Sequence, residues 1–450
     1  LLPGGGSIFH KIVTAGGVVK NAQWIFDQHV ALAEEVTGGK PELLFGFLMD
    51  NTKANRKAEG MLEEHEPRWL AIGCQSHGLS LLIKDLAGPK KTTTAKVLST
   101  AKMMSNIVGD SESIRSLVQR HQDKPKAIAS HCRTRFGTLI FVLWDVLACK
   151  NAIRAAVSSE EWESASAHCA HGKEFHKAAV SHNTSFWRDA AAVVVLTKPI
   201  MDAIHQLEAD SPLLSQVTMV WRKLEEHVAA FTSKPEYNKF ARDGLKDLFA
   251  GRLEKHHHDA FYAAFALDPI HFQRNASGSW STPCSLLSSD EQEAAQAVFT
   301  RLACSSEAGE IELAQEFARY RLSSLSPSLA AFLPHFTARQ EVKRVDKQTG
   351  EEKVVAKVLA PAEQRRNFWE QYGSKEYPLL AKAALRLLGM HATTCSSERN
   401  WSLFGSTFTK ARNRLAVARA EKLVFIRGNL KQGEERRDEE VMLDLMGTAE

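Results

Sequence analysis

Two acids carry residue types and surroundings that could do chemistry. Asp50 closes a nearly unbroken apolar run, "LLFGFLMD", and a helix-like polar stretch beginning near Lys53 follows at once. Asp50, Asn51 or Thr52 could cap that helix by accepting a hydrogen bond from an otherwise unpaired backbone N–H. Asp50 is also placed to be one of several acids holding a metal ion, because open α/β sheets present functional groups at the carboxyl ends of their strands. Caps are far commoner than metal sites, so this stretch alone favours the cap. Glu398 is the second acid, in "TTCSSERNWSLFGSTF". Ser396 or Ser397 can cap a helix there, with Glu398 in the first turn, where the helix dipole favours negative charge. Glu398, Trp401, Gly405 and Phe408 fall on one stripe, so the carboxylate is expected to be buried among large apolar residues. A buried ionised acid must be paired, hydrogen-bonded or metal-bound. Glu398 is therefore a candidate to meet a second acid across a strand-to-helix contact.

Other clusters carry less. Cys74-x-x-His77 has two ligand types where a zinc site needs four, so Cys74 reads as the end of a buried strand. His77 remains a candidate active-site or helix-start residue. "HCAHGKEFH" (His168, Cys169, His171, His176) lacks a second half and reads as a solvated helix face. Lys410, Arg412 and Arg414 form a basic cluster able to track a DNA backbone. Just beyond, Val417, Ala420 and Val424, with Leu423, Ile426 and Leu430, make two adjacent apolar stripes on one helix. Together these are too wide for burial against one neighbour, and such a patch marks an interface.

The elements that must position these residues change in character along the 450-residue chain. Strands are expected at Ser7–Val13, Leu43–Met49 and "RWLAIGC", alternating with helices over "NAQWIFDQHVALAEEV" (apolar face Trp24, Val30, Ala31, Val36), Lys53 to Leu62, and "SHGLSLLIKDL". Strand–helix alternation implies an α/β layer. From about Ala95 to Phe332 the periodicity is mostly helical, including "GTLIFVLWDVLACKNAIRAAV" and a stretch kinked or broken near Pro199. The charged segment Thr337–Arg366 reads as a solvated hairpin or loop, and helices resume at "YPLLAKAALRLLGM". Seven scattered cysteines argue for reduced thiols rather than a disulfide framework. A net charge of +4 confines any nucleic-acid surface to a local patch. No apolar run is read as a membrane span. "LLPGGGSIFHKIV" has no signal-peptide pattern and reads as a hairpin cut open, so the chain is expected to begin inside a domain.

"MDNTKANRKAEGML", "CQSHGLSLLIKDL" and "CSSERNWSLFG…KARNRL…EKLVFIRGNL" together resemble the hAT superfamily of DNA transposases, in the branch common in plant genomes. "CRTRFGT", "FWRDAAAVVVLTKPIMDAI", "HHHDAFYAAFALDP" and "FWEQYG" add matches in the same order. The resemblance implies a ribonuclease-H-like α/β domain interrupted by a large helical insertion and followed by a C-terminal helical dimerisation region. Its expected boundaries are 1–94, 95–367 and 368–450. It also implies a nuclear enzyme that cuts and joins DNA at transposon ends and target DNA, with Mg²⁺ or Mn²⁺ held by two aspartates and a glutamate. One metal activates water or a 3′-hydroxyl while the other stabilises the leaving oxygen. Asp50 matches the second aspartate and Glu398 the glutamate. The strand carrying the first aspartate, and any zinc-finger domain, are expected upstream of Leu1, which would leave this chain inactive by itself. Arg133 and Arg135 match a family pair that reads as phosphate contacts or as two solvated arginines. Cys74 and His77 match a motif beside the active site, and the triplet His256–His258 matches a structural segment. The implied partners are DNA and a second copy of the chain, without a membrane. A different class stays open: a domesticated, non-catalytic nuclear protein that keeps the fold for DNA binding and dimerisation.

Overall fold

Asn21 starts the first helix of the computed structural model by accepting the Trp24 N–H at 2.9 Å, and left-handed Gly38 ends it. The residues described are 1–13, 15–88, 92–122, 127–128, 137–180, 186–275, 278–322, 325–337, 340–345, 352–358, 360–407, 419–427 and 429. After helix α1 (Ala22–Thr37) come strand β1 (Gly46–Met49), helix α2 (Lys53–His65), strand β2 (Leu70–Gly73) and helix α3 (Gln75–Ala87). β1 and β2 pair in parallel, Gly46 opposite Leu70 and Met49 opposite Gly73, with α2 as the crossover that parallel pairing requires. Ile25 and Ala33 of α1 pack with Phe47, Met49, Ala58, Leu62, Trp69 and Ala71. The buried face of α1 therefore differs from the expected one. Trp24 and Val30 only flank this core, and Val36 is exposed. Phe47 meets Trp69 edge to face at 5.2 Å, and the indole N–H reaches the Pro41 carbonyl at 3.0 Å.

The expected strand Ser7–Val13 is not one. Among the described residues β1 pairs only with β2, and residues 7–13 carry no ladder. Side chains near the C terminus satisfy backbone groups there instead. Asn429 accepts from the Phe9 N–H at 2.9 Å and donates to the Phe9 carbonyl at 3.1 Å, and Glu421 accepts from the Ile12 N–H at 2.8 Å.

The chain divides into two compact units. The first gathers Leu1–Ser76, Leu207–Thr218 and His257–Glu450. Around the βαβ element it adds helices that include Ala260–Leu267, Ser289–Ala303, Glu307–Leu322 and Pro378–Leu387. On the last of these, Leu380, Ala384 and Leu387 are fully buried, the face that the spacing predicts. Glu316 starts this helix by accepting the Leu379 and Leu380 N–H groups at 3.2 and 2.7 Å. Arg386 near its end donates to the carbonyls of Glu42, Leu44 and Arg68, tying the helix to the starts of both strands. A buried ion pair joins Arg365 to Asp268, which also accepts from the Ser215 hydroxyl at 2.5 Å. The charged segment after Thr337 is a hairpin, Gln340–Val345 against Glu352–Val358, with a bulge at Val342/Lys343.

The second unit, His77–Gln206 and Met219–His256, is helical throughout its described elements. This division differs from the expected 95–367 insertion at both ends. Leu79, Leu82, Ile83 and Leu86 line the buried face of α3. "GTLIFVLWDVLACKNAIRAAV" forms two helices, Thr138–Ala148 and Lys150–Val157, because the first ends at Cys149. Phe186–Leu207 stays one helix through Pro199. Contrary to the expectation of no spanning run, that 22-residue helix is long and apolar enough to cross a membrane. More than half of its apolar window is buried inside the protein, as in the core helix of a globular domain.

Candidate functional site

Asp50 follows directly on β1, and the ladder continues past it: the Cys74 N–H reaches the Met49 carbonyl at 2.8 Å. The cap of α2 is Thr52, whose hydroxyl accepts the Asn55 N–H at 3.2 Å. Asp50 contributes its carbonyl to this turn, accepting from the Thr52 N–H and the Asn55 side chain, both at 2.9 Å. Its residue is exposed at the strand end. Asn51 holds the loop by donating to the Cys74 carbonyl at 2.7 Å and accepting from Arg56 at 3.0 Å. Glycine at 73 permits this approach, since a Cβ there would lie 2.3 Å from the Asn51 side-chain oxygen.

Glu398 sits in the first turn of the helix Cys395–Thr407, its N–H reaching the Thr394 carbonyl at 3.2 Å. The helix therefore begins at Cys395, two residues earlier than a Ser396 cap and three earlier than a Ser397 cap would place it. Its start is fastened to the end of β2. The Gln75 N–H donates to the Ala392 carbonyl at 3.0 Å, and the Thr394 N–H lies 3.3 Å from the Cys74 sulfur. The Ser76 hydroxyl bridges the two thiols, 3.2 Å from Cys74 Sγ and 3.3 Å from Cys395 Sγ. Burial pushes the Cys395 thiol up to about 11, so it stays protonated and serves as packing rather than as a nucleophile. Asp50 and Glu398 thus come from elements that meet at Cys74–Ser76, beyond the carboxyl ends of the parallel strands.

The expected burial of Glu398 is overturned. Glu398 is exposed, and Trp401 on the same stripe is 60% exposed, because the helix buries only its ends, at Cys395, Ser396 and Thr407. Phe408 lies outside the described residues. Burial therefore gives Glu398 no reason to seek a partner, and its claim to chemistry rests on placement. Among the described residues no group of three or more histidines, cysteines or acids is arranged to hold a metal ion.

The remaining candidates separate cleanly. Arg133, Arg135, Lys410, Arg412, Arg414, Val417 and Leu430 lie outside the described residues. Cys74 is fully buried at the strand end, and His77 is half-buried on α3. His171 and His176 are exposed, in keeping with a solvated face. His256 is buried beside Gly78, where a Cβ would meet its ring at 3.0 Å, and His258 lies 3.0 Å from Glu63. Of the interface candidates, Ala420 and Val424 are fully buried within the chain itself, which removes them from any partner surface. Leu423 and Ile426, with Phe425, remain 40–51% exposed on the same helical stretch, residues 419–427. A groove of about 730 Å³ in the second unit is lined by Lys96, Lys177 and Lys239 among others, with Lys239 paired to Asp189.

Sequence reasoning passed over Glu59 and Glu63. Glu59 follows Ala58 and precedes Leu62 by three, which puts it on the buried face of α2, and that spacing was a readable signal. Asp210 was missed as well. Nothing in its own stretch, "EADSP", announces the distant residues it touches.

A model of the hAT family C-terminal dimerisation region matches residues 351–430. This stretch is similar to the region through which hAT-family transposases dimerise. The matched region includes both the Glu398 helix and the exposed Leu423, Phe425 and Ile426, and the match supports a transposase-family origin. No curated protein matches the chain.

Proposed function

We propose that this protein is a hAT-like DNA transposase. In this reading it dimerises through its C-terminal region in the nucleus, binds transposon ends and target DNA, and belongs to the plant-type branch with a ribonuclease-H-like catalytic domain. Asp50 and Glu398 supply two carboxylates of a Mg²⁺- or Mn²⁺-dependent centre for strand cleavage and transfer. The observation that carries the reading is the junction at Cys74–Ser76, where the loop after Asp50 and the helix start before Glu398 are tied to the same strand end. Asn51, Ser76 and Thr394 act there as the supports that keep the two acids on one edge.

The described residues fit a pair of divalent cations only in part. Two such ions lie about 4 Å apart and need a carboxylate to bridge them, and two exposed acids do not complete that set. No cleavage step is therefore derived from these residues. Residues 1–450 are expected to bind DNA and dimerise without cutting it. This incompleteness also favours a second reading, a domesticated DNA-binding and dimerisation protein without catalysis.

The test is a nuclease assay with terminal-repeat DNA and Mg²⁺ or Mn²⁺. A longer form carrying a strand-borne aspartate should cut, and Asp50→Ala or Glu398→Ala should abolish the cutting. Cutting by residues 1–450 alone, or cutting by the longer form that survives both substitutions, would overturn the assignment. A longer form that binds DNA but never cuts would establish the second reading.

A further inference from the structure

Asp210 gathers contacts around the first turn of the Glu398 helix from a segment remote in sequence. Its carboxylate accepts the Ser396 hydroxyl at 2.9 Å and pairs with the Arg399 guanidinium at 3.1 Å. The Ser7 hydroxyl adds a contact at 3.4 Å, and the Asp210 carbonyl accepts the Gly6 N–H at 2.9 Å. Gly5 makes that approach in the left-handed region, at φ 105°, with the Asp210 carbonyl 3.4 Å from where a Cβ would stand. Three residues earlier, the Leu207 carbonyl accepts the Thr393 hydroxyl at 3.1 Å.

We propose that Asp210 is a positioning residue that sets the rotation of the Cys395–Thr407 helix and so the direction in which Glu398 faces. This inference rests on the reading that Glu398 takes part in chemistry at the strand ends. Ser396 and Arg399 are three apart and lie on one side of the helix. A single carboxylate gripping both resists rotation about the helix axis, which one contact could not do. Glu398 lies between them in sequence, on a different face, where it remains exposed. The Asp210 charge also sits beside the helix start, where the dipole favours it. Cys395 and Thr394 fasten the same turn to the end of β2, so the helix start is held from two directions, and Asp210 adds an ionic contact through Arg399.

Hydrogen exchange of residues 395–400 tests this in the whole chain, with the global unfolding midpoint measured alongside. Asp210→Ala should speed exchange in the first turn by about tenfold, as expected when a local anchor is lost without global unfolding. Asp210→Asn still accepts the Ser396 hydroxyl and should show a smaller rise. Adding Arg399→Gln to Asp210→Ala should change nothing further. Unchanged exchange in Asp210→Ala, or fully additive effects of the two substitutions, would overturn the proposal. If Asp210→Ala does not fold, Asp210→Asn and Ser396→Ala carry the same test, and unchanged exchange in both would overturn it. The nuclease assay separates this from the catalytic reading. A loosened helix in Asp210→Ala together with cutting that survives Glu398→Ala keeps the positioning role and removes the chemistry. Cutting that needs Glu398, with kcat, KM and exchange all indifferent to Asp210→Ala, removes the positioning role alone.

Discussion

Glu59 and Glu63 stand one turn apart on α2, and their surroundings push their carboxyl pKa values in opposite directions. Burial pushes Glu59 up to about 7, outweighing Arg56 at 3.8 Å, and its Oε1 has no hydrogen-bond partner among the described residues. Burial also works on Glu63, but the hydrogen bonds and charges of His258 and Arg301 overcome it and bring that carboxyl down to about 2. Glu63 further accepts the Ala71 N–H at 2.9 Å, so the ionised residue supports β2 directly. Their pH dependences have opposite signs. The folded state holds the Glu59 proton more tightly than the unfolded chain, so stability falls as pH rises from about 4.5 to about 7. Glu63 contributes stability above about 4.5 that is lost as pH falls towards 2. Glu59→Gln removes the first effect, because the amide resembles the neutral acid. It should raise stability on the order of 2 kcal/mol above pH 7 and change little near pH 4.5. Thermal unfolding between pH 5 and 8 measures this, and a lower melting temperature for Glu59→Gln at pH 8 would refute it.

At the scale of elements, the parallel pair β1–β2 sets the site, and its closeness depends on Gly46. A Cβ at 46 would lie 1.9 Å from the Leu70 carbonyl oxygen, a backbone atom that cannot move aside without breaking the register. Gly46→Ala should therefore cost about 1–3 kcal/mol in chemical denaturation. Gly60→Ala, where nothing lies within 4 Å, serves as the neutral comparison. Equal midpoints for the two variants would show that the strands tolerate separation. The strand–helix–strand order here was legible because apolar runs of strand length alternate with segments of helical spacing. Leu79, Leu82, Ile83 and Leu86 are buried as their spacing requires. Ser7–Val13 misled because an extended, alternating segment makes a strand only when a neighbour completes its ladder, and here Asn429 and Glu421 take some of its backbone groups. Glu398 misled for a related reason. An apolar stripe states what a helix can bury, and Trp401 leaves that capacity unused. The clamp at Asp210 could not be read at all, because its contacts span 186 and 203 residues of sequence.

For the whole molecule, the hAT dimerisation region points to association between copies, and exposure now sorts the apolar residues within it. Ala420 and Val424 serve the chain's own packing, while Leu423, Phe425 and Ile426 face outward. Ile426→Asp should shift the protein from dimer to monomer in analytical ultracentrifugation with its melting temperature nearly unchanged. Val424→Asp should instead destabilise the fold itself, since it places a charge at a fully buried position. An Ile426→Asp protein that remains dimeric would move the interface elsewhere in the matched region. In the proposed function Asp50 and Glu398 meet at one metal at the ends of β1 and β2. A crystal structure of the protein grown or soaked with Mn²⁺, with anomalous scattering to locate the ion, tests it most directly. An anomalous peak flanked by both carboxylates is expected, with the two acids within about 10 Å of each other. Carboxylates farther apart than that, or a manganese peak that touches neither, would contradict it.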